Sequence, residues 1–231
     1  MHFIAKRQYF LAALIWGVAS GIRSNAIIFA GFFFYDLIWI RSIKRLNFYT
    51  GIVRSIVYTA MTTSGFGLFQ YYGYKKFCSL DRPWCHQTLP LLYSFVQKEY
   101  WQNGFLAYYE IKQIPNFLLA APMVLISIYG LKSYIDQNPR RFFNIGQPPK
   151  DTMGFHSSSV LVYMYLWLFL LCYVLTSMHV QVIIRFFTSL PPFYWYVGHL
   201  LEQNKANLVL GYFVLYGLVG IILFSNFLPP A

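Results

Sequence analysis

The sequence predicts an all-α protein that crosses a membrane several times, with about six helical segments. Of its 231 residues, 58% are apolar and 11% are charged, whereas soluble domains carry about 25% charged residues. The apolar residues also collect in long runs that hold no charge. Inside a bilayer every backbone N–H and C=O must bond within the protein, so such runs must be helical.

Four uncharged runs are long enough to cross a bilayer. A span needs about 20 residues, because an α-helix rises about 1.5 Å per residue and the hydrocarbon core is about 30 Å thick. The runs are residues 55–74, 113–131, 157–178 and 206–231. We expect each of them to form a membrane-spanning helix.

The apolar stretch of residues 8–40 predicts a helical hairpin. Polar residues at positions 23–25 interrupt it, and one straight helix would place Arg23 at the bilayer centre at a high cost in free energy. Two halves of about 15 residues each avoid this cost. A signal peptide is the alternative, because residues 6–7 are basic and residues 19–21 are small. The chain becomes apolar again directly after the interruption, which favours the hairpin.

The distribution of basic residues predicts the orientation. The chain holds 18 Lys and Arg against 7 Asp and Glu, a formal charge of +11, and eight of the 18 lie in residues 41–54 and 132–156. Short loops rich in Lys and Arg face the cytoplasm. Residues 75–115 and 179–205 are then luminal segments of a single membrane domain, residues 1–231. Because topology accounts for the charge, we expect no nucleic-acid partner.

The three cysteines do not form a disulfide framework. Cys172 lies inside an apolar run, while Cys78 and Cys85 fall in the first luminal segment, where a disulfide is chemically permitted. The pair could also bind a metal, but no second pair completes a site. A disulfide or free thiols are therefore favoured, and we expect neither a metal nor a cofactor.

The first luminal segment mixes aromatic rings with hydrogen-bonding side chains. Residues 100–117 hold Glu110, Gln113 and Asn116 among several tyrosines. A membrane-interface belt explains the rings but not the amides packed among them. Stacking faces beside polar groups are what a sugar-binding site requires.

The second luminal segment adds a cationic group. If its beginning is helical, Gln181 and Arg185 share one face, and His179 precedes them. Arg185 and Arg23 each lie next to apolar residues, where an arginine either extends to the interface or pairs with an anion. The guanidinium group binds phosphate oxygens in a bidentate fork, so a lipid-linked phosphate is the candidate ligand.

Several stretches resemble the glycosylphosphatidylinositol (GPI) mannosyltransferase 2 family. They are residues 21–25, 69–72, 83–85, 100–122, 178–181, 185–195 and 226–229. The similarity keeps the same order over nearly the whole chain. The run YYEIKQIPNF at residues 108–117 is long enough to be specific.

The resemblance implies a C-type (GT-C) glycosyltransferase fold in the endoplasmic reticulum membrane. Such an enzyme transfers the second mannose, in α-1,6 linkage, from dolichyl-phosphate-mannose to the GPI precursor. The implied partners are this donor, this glycolipid acceptor, membrane lipids and a small membrane subunit. The similarity covers the carboxy-terminal portion of a longer family architecture. In this enzyme class a luminal acid acts as general base, and we assign no residue of this chain to that role.

The resemblance also suggests which residues bind substrate. Arg23 and Arg185 would contact phosphate, and His179 would assist the departing phosphate. The remaining substrate-binding candidates are polar side chains that would orient sugar or headgroup: Asn25, Gln70, Glu110, Gln113, Asn116 and Gln181. For Glu110 a structural pair with Lys112 is favoured over a catalytic role.

Two other functions stay open at this stage. The chain could be a non-catalytic membrane subunit, or an inactive fragment, that binds the same lipid-linked substrates. A small channel or transporter is the weakest alternative, because the spans hold too few ionisable residues for an ion path.

Overall fold

The computed structural model describes residues 1–40, 47–80, 82–143, 154–180 and 182–226, and within these ranges the chain is helical with no strand. The α-helices are α1 (His2–Ala5), α2 (Tyr9–Ile22), α3 (Gly31–Phe33), α4 (Phe48–Phe77), α5 (Leu92–Glu99), α6 (Ile114–Gln137), α7 (Pro139–Phe143), α8 (Leu161–Ser177), α9 (Val182–Phe187), α10 (Pro191–Glu202) and α11 (Asn207–Ser225). Short 3-10 segments are Ser24–Ala30, Cys78–Leu80, Pro83–His86, Ile111–Gln113, Gly154–His156 and Ser158–Val160, and Phe34–Trp39 is π-helical. The predicted all-α class is confirmed.

The chain divides into two compact units, an amino-terminal unit (Met1–Trp101) and a carboxy-terminal unit (Gln102–Ala231). The prediction of one membrane domain across residues 1–231 stays a prediction.

Three helices are long and apolar enough to cross a membrane. They are Ile111–Gln137, Ser158–Ser177 and Asn207–Ser225. They coincide with three of the four uncharged runs in the sequence. The segments Tyr9–Ile22 and Ser24–Trp39 are shorter apolar helices. The protein is therefore a membrane protein by helix length and composition, while the count of about six segments stays a prediction.

The fourth uncharged run lies in α4, which is long but less apolar. This helix has 30 residues, and its buried positions include Ser55, Thr62 and Gln70. Polar side chains in a membrane helix normally face the protein interior. Helix α4 thus turns a polar stripe toward its neighbours in the unit, and its exposed charges, Arg54, Lys75 and Lys76, lower its hydropathy further.

The predicted hairpin is present, and its break falls where the sequence places it. Helix α2 ends at Ile22, Arg23 is extended with φ −140° and ψ 121°, and a new helical segment begins at Ser24. The ring of Tyr9, at the start of α2, lies 6.2 Å from the ring of Phe33, late in the second half. The two halves are therefore antiparallel.

Glycine residues allow α2 and α4 to touch backbone to backbone. A Cβ atom built on Gly65 would lie 2.1 Å from the Gly17 carbonyl oxygen, and one built on Gly17 would lie 2.5 Å from the Met61 carbonyl oxygen. The Ser20 hydroxyl donates to the Gly17 carbonyl at 2.8 Å and accepts from the Phe66 N–H at 3.1 Å. Small residues with a bridging hydroxyl are a common way for membrane helices to associate.

The core of the carboxy-terminal unit forms around Trp167 of α8, whose side chain is fully buried. A Cβ atom on Gly130 of α6 would lie 2.5 Å from Cη2 of Trp167 and 2.9 Å from Cδ1 of Tyr196 on α10. Helices α6, α8 and α10 therefore meet at one point. By contrast, no residue of α11 is buried.

A histidine pair joins the beginning of α8 to the end of α10. The Nε2 atoms of His156 and His199 lie 3.3 Å apart, and Arg141 donates to the His156 carbonyl. Burial first, and then the charges of His199 and Arg141, lower the pKa of His156. Since one nitrogen must keep a lone pair for the contact, the two rings share a hydrogen bond only while at least one ring is neutral.

The variant Gly65→Ala should destabilise the amino-terminal unit, whereas Gly67→Ala should not. An inserted methyl group at the helix crossing typically costs about 1–3 kcal/mol. A Cβ atom on Gly67 meets nothing within 4 Å, and alanine favours the helix by about 1 kcal/mol over glycine. Thermal unfolding midpoints in detergent micelles measure both effects. Equal midpoints for the two variants would show that the close crossing is not required.

Acidification should weaken the His156–His199 contact. Because the pKa of His156 is lowered, the unfolded chain binds the proton more tightly than the folded chain does. The contribution of His156 to stability is therefore complete above its ordinary pKa of about 6.5 and declines as the pH falls below that value. Unfolding midpoints should drop on the acid side, and His156→Gln should reduce the drop while His86→Gln should not. An unchanged acid-side slope in His156→Gln would contradict this account.

Candidate functional site

In the amino-terminal unit, Tyr93 connects two of the predicted site segments. The Ser24 hydroxyl donates to the Tyr93 hydroxyl at 2.6 Å, and the Tyr93 N–H donates to Oε1 of Gln70 at 3.2 Å. The Tyr93 ring also meets the Phe66 ring edge-on at 5.5 Å. Tyr93 thus links the hairpin break to the polar stripe of α4. We call Ser24, Gln70 and Tyr93 the tyrosine junction.

The predicted ligands around this junction differ in exposure. Arg23 is exposed on the extended backbone between the two hairpin halves, and Asn25 is half-buried in the first turn after it. Gln70 is only 7% exposed, and its amide nitrogen has no hydrogen-bond partner among the residues that the structure describes. A buried amide donor left in this state costs about 1–3 kcal/mol, and because this nitrogen is closed to solvent, no external ligand reaches it in this arrangement.

A disulfide closes the segment that follows α4. Cys78 and Cys85 are bonded, with Cα atoms 5.6 Å apart, and Trp84 between them is 2% exposed. Of the alternatives that the sequence left open, the disulfide is the one observed. Such a bond belongs to an oxidising compartment, which agrees with the predicted luminal side for this segment. Within the described ranges no group of three or more metal-ligating residues occurs.

In the carboxy-terminal unit, three predicted ligands meet around Tyr108. Nδ2 of Asn116 donates to the Tyr108 hydroxyl at 2.8 Å and to Oε1 of Gln113 at 2.6 Å. The other side of Tyr108 meets the imidazole of His179 in a T-shaped contact, with ring centroids 4.4 Å apart. We call Tyr108, Gln113, Asn116 and His179 the amide–histidine cluster.

The local fold holds this cluster at the luminal end predicted for α6 and α8. The segment before α6 folds back on the end of α8, where the Leu106 N–H donates to the Thr176 carbonyl at 2.6 Å. The Tyr109 hydroxyl donates to the Leu175 carbonyl at 2.9 Å. Pro115 occupies the first turn of α6, where its missing N–H is not needed. The chain between residues 102 and 113 is thus fixed to α8 from two positions.

The other predicted ligands of this unit do not take part in the hydrogen bonds and ring contacts of the amide–histidine cluster given above. Glu110 forms an ion pair with Lys112 at 2.5 Å, and both side chains are largely exposed. Arg185 is exposed on α9. Gln181 lies outside the described residues.

Two tyrosines connect the predicted ligands, although neither was itself predicted as one. Tyr108 lies inside the run that carries the family resemblance, so its aromatic and amide context was a usable signal. Tyr93 lies in no such run, and only the tertiary contacts reveal it. The predicted set is therefore divided between two clusters, one in each unit.

The amide–histidine cluster suits recognition of a neutral polyhydroxylated ligand. Its amides supply both donors and acceptors, and its rings supply apolar faces for a sugar. The imidazole adds ring nitrogens that can donate or accept a hydrogen bond. The cluster itself holds no cation, and the predicted phosphate ligands remain the exposed guanidinium groups of Arg23 and Arg185.

Comparison with known proteins gives consistent matches. The family profile described as "Mannosyltransferase (PIG-V)" matches residues 5–231. The chain is 29% identical to "GPI alpha-1,6-mannosyltransferase 2" of Homo sapiens, over 98% of this chain and 62% of that protein. It is 33% identical to "GPI mannosyltransferase 2" of Schizosaccharomyces pombe, over 99% of this chain and 49% of that protein. It is 28% identical to "GPI mannosyltransferase 2" of Yarrowia lipolytica, over 97% of this chain and 56% of that protein.

The matched relatives are longer than this chain. It spans about half to three fifths of the length of these curated proteins. No solved structure gives a significant match.

The variant Tyr108→Phe should loosen the amide–histidine cluster without removing its ring contact. The phenylalanine ring still meets His179, but Asn116 loses the oxygen that accepts its hydrogen bond, at a cost of about 1 kcal/mol. Tyr108→Ala removes both contacts and should cost about 3 kcal/mol or more. Unfolding midpoints in detergent measure the series, with exposed Tyr100→Phe as the control. A midpoint of Tyr108→Phe equal to that of the wild type would exclude the hydroxyl as a structural acceptor.

Proposed function

The chain belongs to the mannosyltransferase (PIG-V) family, and on this basis we propose that it forms the substrate-binding part of a GPI mannosyltransferase. The proposed reaction adds the second mannose, in α-1,6 linkage, to the GPI precursor in the endoplasmic reticulum membrane. The proposed donor is dolichyl-phosphate-mannose. The names of the matched relatives support the GPI-directed activity.

The observation that carries this proposal is the amide–histidine cluster. Its members Gln113 and Asn116 lie in the run at residues 108–117, and the fold brings His179 to the same place from a distant part of the chain. A site that positions a sugar needs such directional donors and acceptors on rigid elements. We assign Gln113 and Asn116 to the orientation of mannose or of the acceptor glycan.

His179 is the group best suited to the departing phosphate. Transfer breaks the bond between the mannose anomeric carbon and a phosphate oxygen, and negative charge develops on that phosphate. An imidazole that donates a proton or a hydrogen bond stabilises this charge. The edge contact with Tyr108 fixes the ring orientation of His179. Gln181 precedes α9 in sequence and is proposed as a further headgroup ligand.

The two arginines are proposed as phosphate ligands. Both substrates are lipids that carry phosphate, and a guanidinium group binds its oxygens in a bidentate manner. Arg185 lies on α9 and Arg23 at the hairpin break, where Asn25 adds a second polar side chain. The buried Gln70 is proposed to position this region through its hydrogen bond with the Tyr93 N–H. The exposed pair of Glu110 with Lys112 is assigned a supporting role at the edge of the site.

The acceptor hydroxyl also needs a general base, and we propose none from this chain. The candidate Glu110 is held in an exposed ion pair that directs its carboxylate toward the ammonium group of Lys112. A small membrane subunit remains a proposed partner. The second candidate function is a non-catalytic subunit that binds the same lipids, and it is favoured because the amide–histidine cluster contains no carboxylate that could act as the base.

Expression of the longest open reading frame that contains this chain should restore GPI-anchored proteins to the surface of cells that lack second-mannose addition. The variant Arg185→Ala should reduce this rescue at least about tenfold, because losing one charge-assisted phosphate contact costs roughly 1.5–3 kcal/mol. Arg140→Ala, an exposed arginine outside the proposed site, is the matched control. Surface anchor staining and the accumulated glycolipid intermediate are measured at equal expression.

Each result decides between the proposals. Normal rescue by Arg185→Ala would remove its role as a phosphate ligand. Failure of the wild-type frame to rescue, at normal expression and localisation, would contradict the transferase and favour the non-catalytic subunit.

A further inference from the structure

Helix α10 runs alongside α8 in the opposite direction. Phe193 meets Trp167 at 6.0 Å between ring centroids, and Trp195 meets Tyr163 at 5.2 Å. The contacts end with the His156–His199 pair, where the Nε2 atoms lie 3.3 Å apart. Residue numbers therefore rise along α10 as they fall along α8, and α10 ends beside the beginning of α8.

Helix α11 runs in the direction opposite to α10. The ring of Phe213, in the first half of α11, lies 5.9 Å from the ring of Phe193. The four residues 203–206 join the end of α10 to the beginning of α11. Helix α11 thus starts at the end of α10 and runs back toward the first turn of α10. Helix α11 begins at the end of the bundle where His199 lies.

The break between α9 and α10 leaves its backbone carbonyls bonded. The Ile184 and Phe186 carbonyls accept from the N–H groups of Thr188 and Ser189, at 3.1 and 3.3 Å, and also from the hydroxyls of the same two residues, at 2.8 Å each. The Thr188 carbonyl, at the break itself, accepts from the Tyr194 hydroxyl at 2.8 Å. At membrane depth a helix break is tolerated only when its freed backbone groups are bonded in this way.

The two helices together have the length of one membrane crossing. At about 1.5 Å per residue, the 6 residues of α9 and the 12 of α10 rise about 9 and 18 Å, close to the hydrocarbon thickness of about 30 Å. Between residues 182 and 201 the only formally charged side chain is Arg185.

We propose that residues 182–202 form one membrane span broken at residues 188–190. The span returns from the end of α8 to its beginning, so residues 203–205 lie on the same side of the membrane as residues 154–157. The charge pattern of the sequence predicts opposite sides for these two segments. The proposal also places the end of α11 on the side where α6 begins.

One consequence concerns Arg185, which the broken span carries to membrane depth beside Thr188 and Ser189. Irregular backbone at that depth occurs where it is buried in protein or lines a polar cavity. If the phosphate contact of the proposed function is correct, its ligand reaches Arg185 as part of a membrane lipid and not as a soluble anion. The topology itself does not depend on that function.

Single cysteines in sealed microsomes test the topology of the intact chain. The background is Cys172→Ser, which leaves the Cys78–Cys85 disulfide in place. Three exposed positions report the sides: Gln203→Cys, Gln137→Cys and Ile111→Cys. Gln137 ends α6 near the Tyr134–Ser157 hydrogen bond and so marks the beginning of α8, while Ile111 marks the opposite end of α6. The probe is a membrane-impermeant maleimide, applied before and after permeabilisation.

Gln203→Cys and Gln137→Cys should react with the maleimide under the same condition, either both before permeabilisation or both only after it. Ile111→Cys should react under the other of these two conditions. An epitope tag after residue 231 should lie on the same side of the membrane as Ile111. Its protection from added protease should therefore match the accessibility of Ile111→Cys to the maleimide. Labelling of Gln203→Cys together with Ile111→Cys, or a tag on the Gln137 side, would overturn the broken span. If Gln203→Cys does not react under either condition, the position of the tag decides. Neither measurement uses mannose transfer, so its outcome is independent of the rescue experiment.

Discussion

The close contact of Gly17 and Gly65 is the constraint on which the amino-terminal unit depends. Lipid chains are as apolar as leucine, so membrane helices gain little by hiding apolar surface from lipid and associate through short contacts and hydrogen bonds. Removing the side chains at this crossing allows the Ser20 hydroxyl to reach across to the backbone of α4. The crossing fixes α2 on α4, and the hairpin break at the end of α2 is thereby held within reach of Tyr93 and Gln70.

The carboxy-terminal unit uses large aromatic rings around a single small residue. Gly130 leaves room for Trp167 and Tyr196, which hold α8 and α10 against α6. Because α6 and α8 are fixed relative to each other, the segment that precedes α6 can be tied to the end of α8, and His179 meets Tyr108 there. The geometry of the candidate site is thus a consequence of packing deeper in the same helices.

The features that were predictable from the sequence are those determined by local composition. The absence of charge over about 20 residues coincides with a helix able to span the membrane in three of four cases, and Arg23 inside an apolar stretch marks a break. The features that were not predictable depend on tertiary contacts. The inward polar stripe of α4 lowers its hydropathy, the roles of Tyr93 and Tyr108 require partners distant in sequence, and the direction of α10 follows only from its pairing with α8.

The Cys78–Cys85 bond also bears on when the protein matures. The two cysteines are 7 positions apart and follow directly on the 30-residue helix α4, so they are synthesised after that helix. A stable disulfide forms in an oxidising compartment and is rare in the reducing cytosol, so the bond closes only after this segment has reached such a compartment. The covalent bond therefore distinguishes matured molecules from those in which the segment after α4 has stayed in a reducing environment.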